Sequence, residues 1–162
     1  MKTFEIPVDE ELRDYCWDFR NSSRRSTVSN KGGWQSAKDI HTDPYIDKRF
    51  VRPLHKALEE LEIDVKGCWI NSLSKGAWNV RHNHVSPECD LVVIWYVQID
   101  PTDAGGKLIV YTPDTTHTIT PKEGLAILFP PEWEHEVTPT TLPYERLSIS
   151  ANLSVKPNDH SN

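Results

Sequence analysis

The sequence predicts a mainly β chain, two N-terminal helices packed on a jelly-roll-like double sheet, from three observations. After Ile63, seven short runs bounded by turn residues follow one another with no helical pattern between them. One of these runs, Leu91 to Val97, is apolar throughout, as in a strand covered on both faces. Before Ile63, apolar residues instead recur at helical spacing. At 162 residues the chain makes one domain over 1–162 with room for a real core. Within it, residues 1–63 form a helical and loop segment and residues 64–155 the jelly-roll core.

In chain order, Val8, Leu12, Tyr15, Cys16 and Phe19 share one face of a helix over Val8 to Phe19, which Pro7 and Asp9-Glu10-Glu11 suit for a start. Asn21 to Asp43 reads as a long loop around Gly32-Gly33 and Trp34; loops of that length inside compact domains are functional or mobile. Ser36, beside Trp34 and Gln35, belongs to a structural loop or to a lid over a site. Ile46, Phe50, Leu54, Leu58 and Leu61 fall on one helical face and, with Pro53 starting or kinking the helix, predict a second helix from about Pro53 to Leu61 after a preceding turn. The strands follow: Val65 to Leu73, Ala77 to His84, Leu91 to Ile99, Lys107 to Tyr111, Thr116 to Thr120, Leu125 to Phe129 and Arg146 to Val155. Asp103-Ala104-Gly105-Gly106 and Pro121-Lys122-Glu123-Gly124 supply the turns on either side of the fourth and fifth strands. The tail from Lys156 to Asn162 is polar and frayed. Trp69, Trp78, Trp95 and Trp133 are read as packing residues.

A formal net charge of -6 argues against general attraction to nucleic acid or to an anionic membrane. Arg20, Arg24 and Arg25 form the only basic cluster, read as a solvated loop. Three cysteines without Cys-x-x-Cys spacing fit reduced thiols in a cytoplasmic chain. No apolar run reaches the length of a membrane span.

The chemistry concentrates in two stretches. Residues two apart on a strand face the same way, so His82 and His84 can aim both imidazoles at one point. His135 completes a three-nitrogen set if its strand end lies opposite, as the facing sheets of a roll permit. Three facial ligands leave coordination positions for substrate and oxygen. Downstream of Gly124-x-x-x-x-Phe129-Pro130-x-x-x-x-His135 stand Arg146 and Ser148, able to hold an anion through a bidentate fork and a hydroxyl. The plain alternative pairs Arg146 with Glu145 or Glu136 on the surface. His41, His55, His117 and His160 lack partner spacing and read as solvent or packing residues.

Those residues resemble the Fe(II)/2-oxoglutarate-dependent oxygenases, in particular the small oxygenases of the prolyl-hydroxylase-like group found in bacteria and phages. The resemblance runs from Lys66 to Leu153, through Trp69-Ile70-Asn71, His82-Asn83-His84, Ile94 to Val97, Gly105 to Leu108, Pro121 to Pro139 and Arg146 to Asn152. It implies a double-stranded β-helix, Fe(II) held by His82 and His135, and 2-oxoglutarate gripped by Arg146 and Ser148. Tyr96 and Tyr111 are lesser candidates for the cosubstrate. With O2 it implies oxidation, most simply hydroxylation, of a primary substrate with release of succinate and CO2. One departure stands out: the common pattern places Asp or Glu where this chain has His84. His84 itself, Glu88 or Asp90 can supply the third ligand, or the site is degenerate. Two other readings use the same residues. Gly76, His82, His84 and Glu88 match the first metal motif of the cupins, although His135 lies too far behind Gly124 for the second. A metal-free jelly-roll binding or structural protein is the other.

Overall fold

The computed structural model describes residues 1–22 and 30–157. The chain opens with strand β1 (Lys2–Glu5), which the apolar pattern does not reveal, and helix α1 (Glu10–Ser22). The Asp9 carboxylate caps α1, accepting from the Leu12 N–H at 2.8 Å, so the helix begins two residues later than Val8. Short strands β2 (Asn30–Lys31) and β3 (Trp34–Gln35) lie in the stretch expected to be loop. They go unseen in sequence because two residues are too few for any periodicity to show.

The second helical region also begins earlier than predicted. It runs through α2 (Pro44–Ile46), a π-helical turn (Asp47–Val51) and α3 (Arg52–Ala57). Asp43 starts it, accepting from the Tyr45 N–H at 2.8 Å and from the Tyr15 hydroxyl at 2.7 Å. Pro53 sits in the first turn of α3, where its missing N–H costs least. The π turn immediately ahead of it widens the backbone. Helix α3 stops at Ala57, short of the predicted Leu61.

Eight strands follow: β4 (Ile63–Leu73), β5 (Trp78–His82), β6 (Leu91–Gln98), β7 (Leu108–Tyr111), β8 (Thr116–Ile119), β9 (Leu125–Phe129), β10 (Glu134–Val137) and β11 (Arg146–Val155). They pair antiparallel into two sheets, β1-β9-β6-β11-β4-β3 and β2-β5-β10-β7-β8. β6 is interior and buried from Val92 to Val97, as its unbroken apolar run requires.

Two clusters flank the larger sheet. On its outer face Val93, Trp95, Val97, Ile149 and Ala151 pack against Leu12, Cys16, Ile46, Phe50 and Leu54 of the helices. Phe50 stacks on Trp95 with centroids 5.0 Å apart and planes 5° apart. On its inner face Ile94, Tyr96, Ile127 and Phe129 meet Leu108, Val110 and Val137 of the smaller sheet. Trp69 and Trp95 are buried and Trp133 half-buried, but Trp78 is 40% exposed, on a strand with no buried residue. All three cysteines are buried and free. No described helix is long and apolar enough to cross a membrane.

Arg20 lies in α1, paired with Glu145 at 2.9 Å, and so departs from the solvated-loop reading. Arg24, Arg25 and the tail beyond residue 157 lie outside the described residues.

Phe50→Ala should lower the free energy of unfolding by about 3–5 kcal/mol in urea titrations, because it opens a fully enclosed cavity under Trp95. Lys48→Ala, at an exposed position, serves as a control and should move stability by about 0.5 kcal/mol or less.

Candidate active site

His82 ends β5, and its registered cross-strand neighbour on β10 is His135. The two imidazoles therefore come from adjacent strands of one sheet, whereas the sequence reading placed them on facing sheets. The apolar strand β9 does not deliver His135 directly. The chain leaves the larger sheet at Phe129, crosses through Pro130-Pro131 and enters β10 in the other sheet. Phe129 then meets the His135 ring edge-on, centroids 4.9 Å apart.

β5 stops at His82, so His84 is not placed by strand alternation as predicted. Three contacts hold it instead. Its N–H donates to Pro131 O at 3.1 Å, its ring stacks on Trp69 at 5.7 Å, and its Nδ1 lies 2.8 Å from Asn152 Oδ1. The ligand atoms of His82, His84 and His135 lie within 4.8 Å of one another. No other trio of His, Cys, Asp or Glu among the described residues is so grouped.

The three rings share a feature that decides their chemistry. Each Nδ1 faces an oxygen acceptor: Val80 O at 2.5 Å for His82, Asn152 Oδ1 for His84 and Trp133 O at 3.4 Å for His135. A carbonyl oxygen only accepts, so the proton sits on Nδ1 and the Nε2 lone pair is free to bind a cation. His84 Nε2 is buried with no hydrogen-bond partner. Burial, reinforced by mutual repulsion, lowers the pKa of His84 to about 4 and of His135 to about 3. Burial also lowers that of His82. Three neutral imidazoles with ligand atoms grouped within 4.8 Å of one another suit a divalent metal.

Of the carboxylate candidates, Glu88 is exposed. Asp90 is exposed too, and accepts from the Val155 N–H at 2.7 Å. Neither joins the histidine cluster.

The cleft beside the histidines is walled by alternate residues of three strands. β11 contributes Arg146, Ser148 and Ser150, β4 Trp69, Asn71 and Leu73, and β6 Ile94 and Tyr96. Arg146 is only 3% exposed, which excludes a surface pairing. Glu145 meets Arg20 and Ser72, and Glu136 accepts from Tyr111. Arg146 Nη1 donates to Gly106 O at 2.5 Å. Gly106 has φ +64°, and a Cβ there would lie 2.6 Å from Nη1, so the Gly105-Gly106 turn makes room for the guanidinium. Tyr96, also fully buried, has a hydroxyl without a partner, and the Arg146 guanidinium lies 5.5 Å from its ring centroid. Burial raises the Tyr96 pKa, and the Arg146 charge opposes that rise.

Tyr111 is not in the cleft. On β7 it alternates outward with Ile109, while Leu108 and Val110 point in. Its ring lies under the Arg81 guanidinium at 3.6 Å. Ser36 is structural, since its hydroxyl accepts from the Ile70 N–H at 2.8 Å and ties the strand after Gly33 to β4. His41, His55 and His117 stand apart from the cluster.

Asn71, Gln35, Ser150 and Asn152 are functional candidates that motif reading passes over. Gln35 donates to Asn71 at 2.6 Å, and Asn71 to Ser150 at 3.2 Å, which gives the cleft a polar wall. The signal for two of them is the alternation Arg146-x-Ser148-x-Ser150-x-Asn152. The interior of the cleft is narrow, about 30 Å³, and adjoins a mouth of about 230 Å³.

Residues 68–154 match the model of the 2OG-Fe(II) oxygenase superfamily, over half the chain. The chain belongs to that superfamily. As a member it is an oxygenase that uses Fe(II) and 2-oxoglutarate. Its fold is similar to that of a Pseudomonas putida prolyl-4-hydroxylase, at 22% identity and TM-score 0.72, covering 96% of this chain and 92% of that one. A viral collagen prolyl hydroxylase from Paramecium Bursaria Chlorella virus-1 is similar at 13% identity and TM-score 0.66, covering 94% of each. The α-ketoglutarate-dependent epimerase SnoN from nogalamycin biosynthesis is similar at 13% identity and TM-score 0.69, covering 93% and 76%. No curated protein matches the chain in sequence.

The depressed histidine pKa values set a pH dependence for the metal-free protein. Between about pH 3 and the ordinary 6.5 the unfolded chain binds more protons at these residues than the folded one. Their contribution is complete above pH 6.5 and is lost as pH falls through that window. Thermal unfolding in chelator should show a larger drop in Tm from pH 7 to pH 5 for the wild type than for His135→Ala. Equal drops would remove the buried imidazoles as the cause.

Proposed function

We propose that the chain hydroxylates a C–H bond of a primary substrate, releasing succinate and CO2, with Fe(II) held by His82, His84 and His135 and 2-oxoglutarate held by Arg146 and Ser148. The observation that carries this reading is the three-ring cluster, each Nδ1 occupied and each Nε2 free, in a cleft that also contains a buried arginine. Fe(II) bound there supplies the redox chemistry that couples oxidative decarboxylation of 2-oxoglutarate to oxidation of the substrate.

The residues divide the remaining work. The carbonyl and amide acceptors behind each imidazole fix its tautomer and ring angle. Arg146, steadied by Gly106 O, presents its fork to the far carboxylate of 2-oxoglutarate, and the Ser148 hydroxyl donates to the same group. The unpartnered Tyr96 hydroxyl is placed to join them. Leu73, Ile94 and Val137 exclude water from the reacting atoms. 2-Oxoglutarate is larger than the inner cleft, so its entry pushes the lining side chains outward. Hydroxylation is the outcome named for two of the chains similar in fold, prolyl hydroxylases from a bacterium and a virus, and it is the simplest one for this site. A cupin-type reading needs Glu88 at the metal, and its exposed position gives that no support.

Protein mixed with Fe(II), ascorbate and labelled 2-oxoglutarate under anaerobic conditions, then given oxygen, should form succinate above a His135→Ala control. Arg146→Ala should weaken 2-oxoglutarate binding by about 10–100-fold while metal uptake stays intact, the loss expected for a charge-assisted hydrogen bond. Equal binding by that variant would take Arg146 out of the cosubstrate site.

Asn152 tests the third ligand. Asn152→Leu should reduce Co(II) affinity, read from the visible absorption of the metal, by about 10–100-fold. Asn152→Asp, which still accepts from Nδ1–H, should retain it. Unchanged affinity in the leucine variant would mean that His84 is not oriented through Nδ1.

A further inference from the structure

We infer that the primary substrate is a small anionic molecule whose negative group is held by Lys38 at the mouth of the cleft, an assignment that rests on the oxygenase reading above. The mouth is lined by Gln35, Lys38, Trp69, Asn83, Ser86 and Asn152 together with His82, His84 and Val85. Among the described residues, Lys38 is the only lysine, arginine or carboxylate of that lining. In a chain of net charge -6, a mouth that among the described residues presents a lysine and no carboxylate selects against cations and for anions.

Lys38 is positioned rather than free to wander. Its carbonyl accepts from the Cys68 N–H at 2.9 Å, and the neighbouring Asp39 bridges to Cys68, so the backbone is pinned to β4. Its ammonium lies over the Trp69 ring, 5.3 Å from the centroid, and Trp69 in turn stacks on His84. No salt bridge among the described residues pairs a carboxylate with it, the adjacent Asp39 included.

Lys38 is also distinct from the cosubstrate grip. Arg146, Ser148 and Tyr96 line the inner cleft and not the mouth, whereas Lys38 lines the mouth and not the inner cleft. The histidines line both. An anion on Lys38 thus leaves the remainder of a small molecule lying across the histidine cluster, with Asn83 and Ser86 available for hydrogen bonds. A mouth of about 230 Å³ fits a metabolite or a single amino-acid unit better than a folded protein surface.

The test compares carboxylates with their neutral amides: hexanoate with hexanamide, and phenylacetate with phenylacetamide. Each is titrated into Zn(II)-loaded protein saturated with 2-oxoglutarate, with binding followed by Trp fluorescence and calorimetry. Each carboxylate should bind about tenfold or more tightly than its amide, a preference that salt reduces. Lys38→Gln should erase the preference and leave 2-oxoglutarate affinity unaltered. Equal affinity within each pair, or no binding by any of the four at millimolar concentration, overturns the assignment. A Lys38→Gln variant that loses 2-oxoglutarate affinity instead also overturns it, because the lysine is then a cosubstrate contact. Failure of the oxygenase reading shows separately, as absence of 2-oxoglutarate binding to the wild type, and leaves the carboxylate–amide comparison readable.

Discussion

Antiparallel pairing of β11 on both edges, with β4 on one side and β6 on the other, is the constraint from which the rest follows. Because successive side chains of a strand face opposite ways, this pairing sorts eight of the ten residues of β11 into two environments. Leu147, Ile149, Ala151 and Leu153 go to the helices, and Arg146, Ser148, Ser150 and Asn152 to the cleft. A one-residue slip would bury the arginine among leucines and put isoleucine at the cleft. The apolar face enforces the register, and so positions the polar one. The register shift between Asn152 and Leu153 falls where the strand passes from the inner cleft to its mouth, a common location for a bulge beside an active site.

The second constraint is electrostatic. Three neutral imidazoles in one cluster can all keep an Nε2 lone pair only if each carries its single proton on Nδ1, and the oxygen acceptor beside each Nδ1 favours that tautomer. Burial alone disfavours the charged form; the neighbouring rings disfavour it further, since charging one raises the cost of charging the next. The cluster is therefore ready to bind a cation at neutral pH without first losing protons. The same argument explains why His84 needs Asn152. Lying beyond the end of β5, it lacks a neighbouring strand to orient it, and Trp69 and Asn152 supply from β4 and β11 what the β5 ladder does not.

Much of this is legible in the sequence, and the remainder is obscured for identifiable reasons. The buried strand Leu91 to Val97 announces itself by composition, and the helices by their apolar spacing. The histidines and Arg146-x-Ser148 are visible as motifs. What spacing cannot give is which strands become neighbours, so His82 and His135 read as facing across the roll when they are side by side. Tyr111 looks as eligible as Tyr96 until alternation on β7 is fixed by Val110 packing inward. The strands near Asn30 and Trp34 are invisible because their pairing is dictated by β5 and β4, not by their own residues. Lys38 stands in the same polar stretch, and only the pinning of its backbone to β4 brings it beside Trp69.

With His84 as the proposed third ligand in place of a carboxylate, the charge of the centre changes by one unit, and the consequence would reach the substrate. Two imidazoles, one carboxylate, Fe(II) and the 2-oxoglutarate dianion would sum to one net negative charge; three imidazoles leave the sum at zero. At an effective dielectric near 20, a unit charge about 4 Å away is worth roughly 4 kcal/mol, falling with distance. A centre of the first kind repels an anionic substrate by part of that amount, and a centre of the second does not. Removing the repulsion at His84 and adding attraction at Lys38 act in the same direction, from two residues joined through the face of Trp69. On the proposed assignment, the departure at position 84 joins Lys38 in favouring an anionic molecule as the one oxidised.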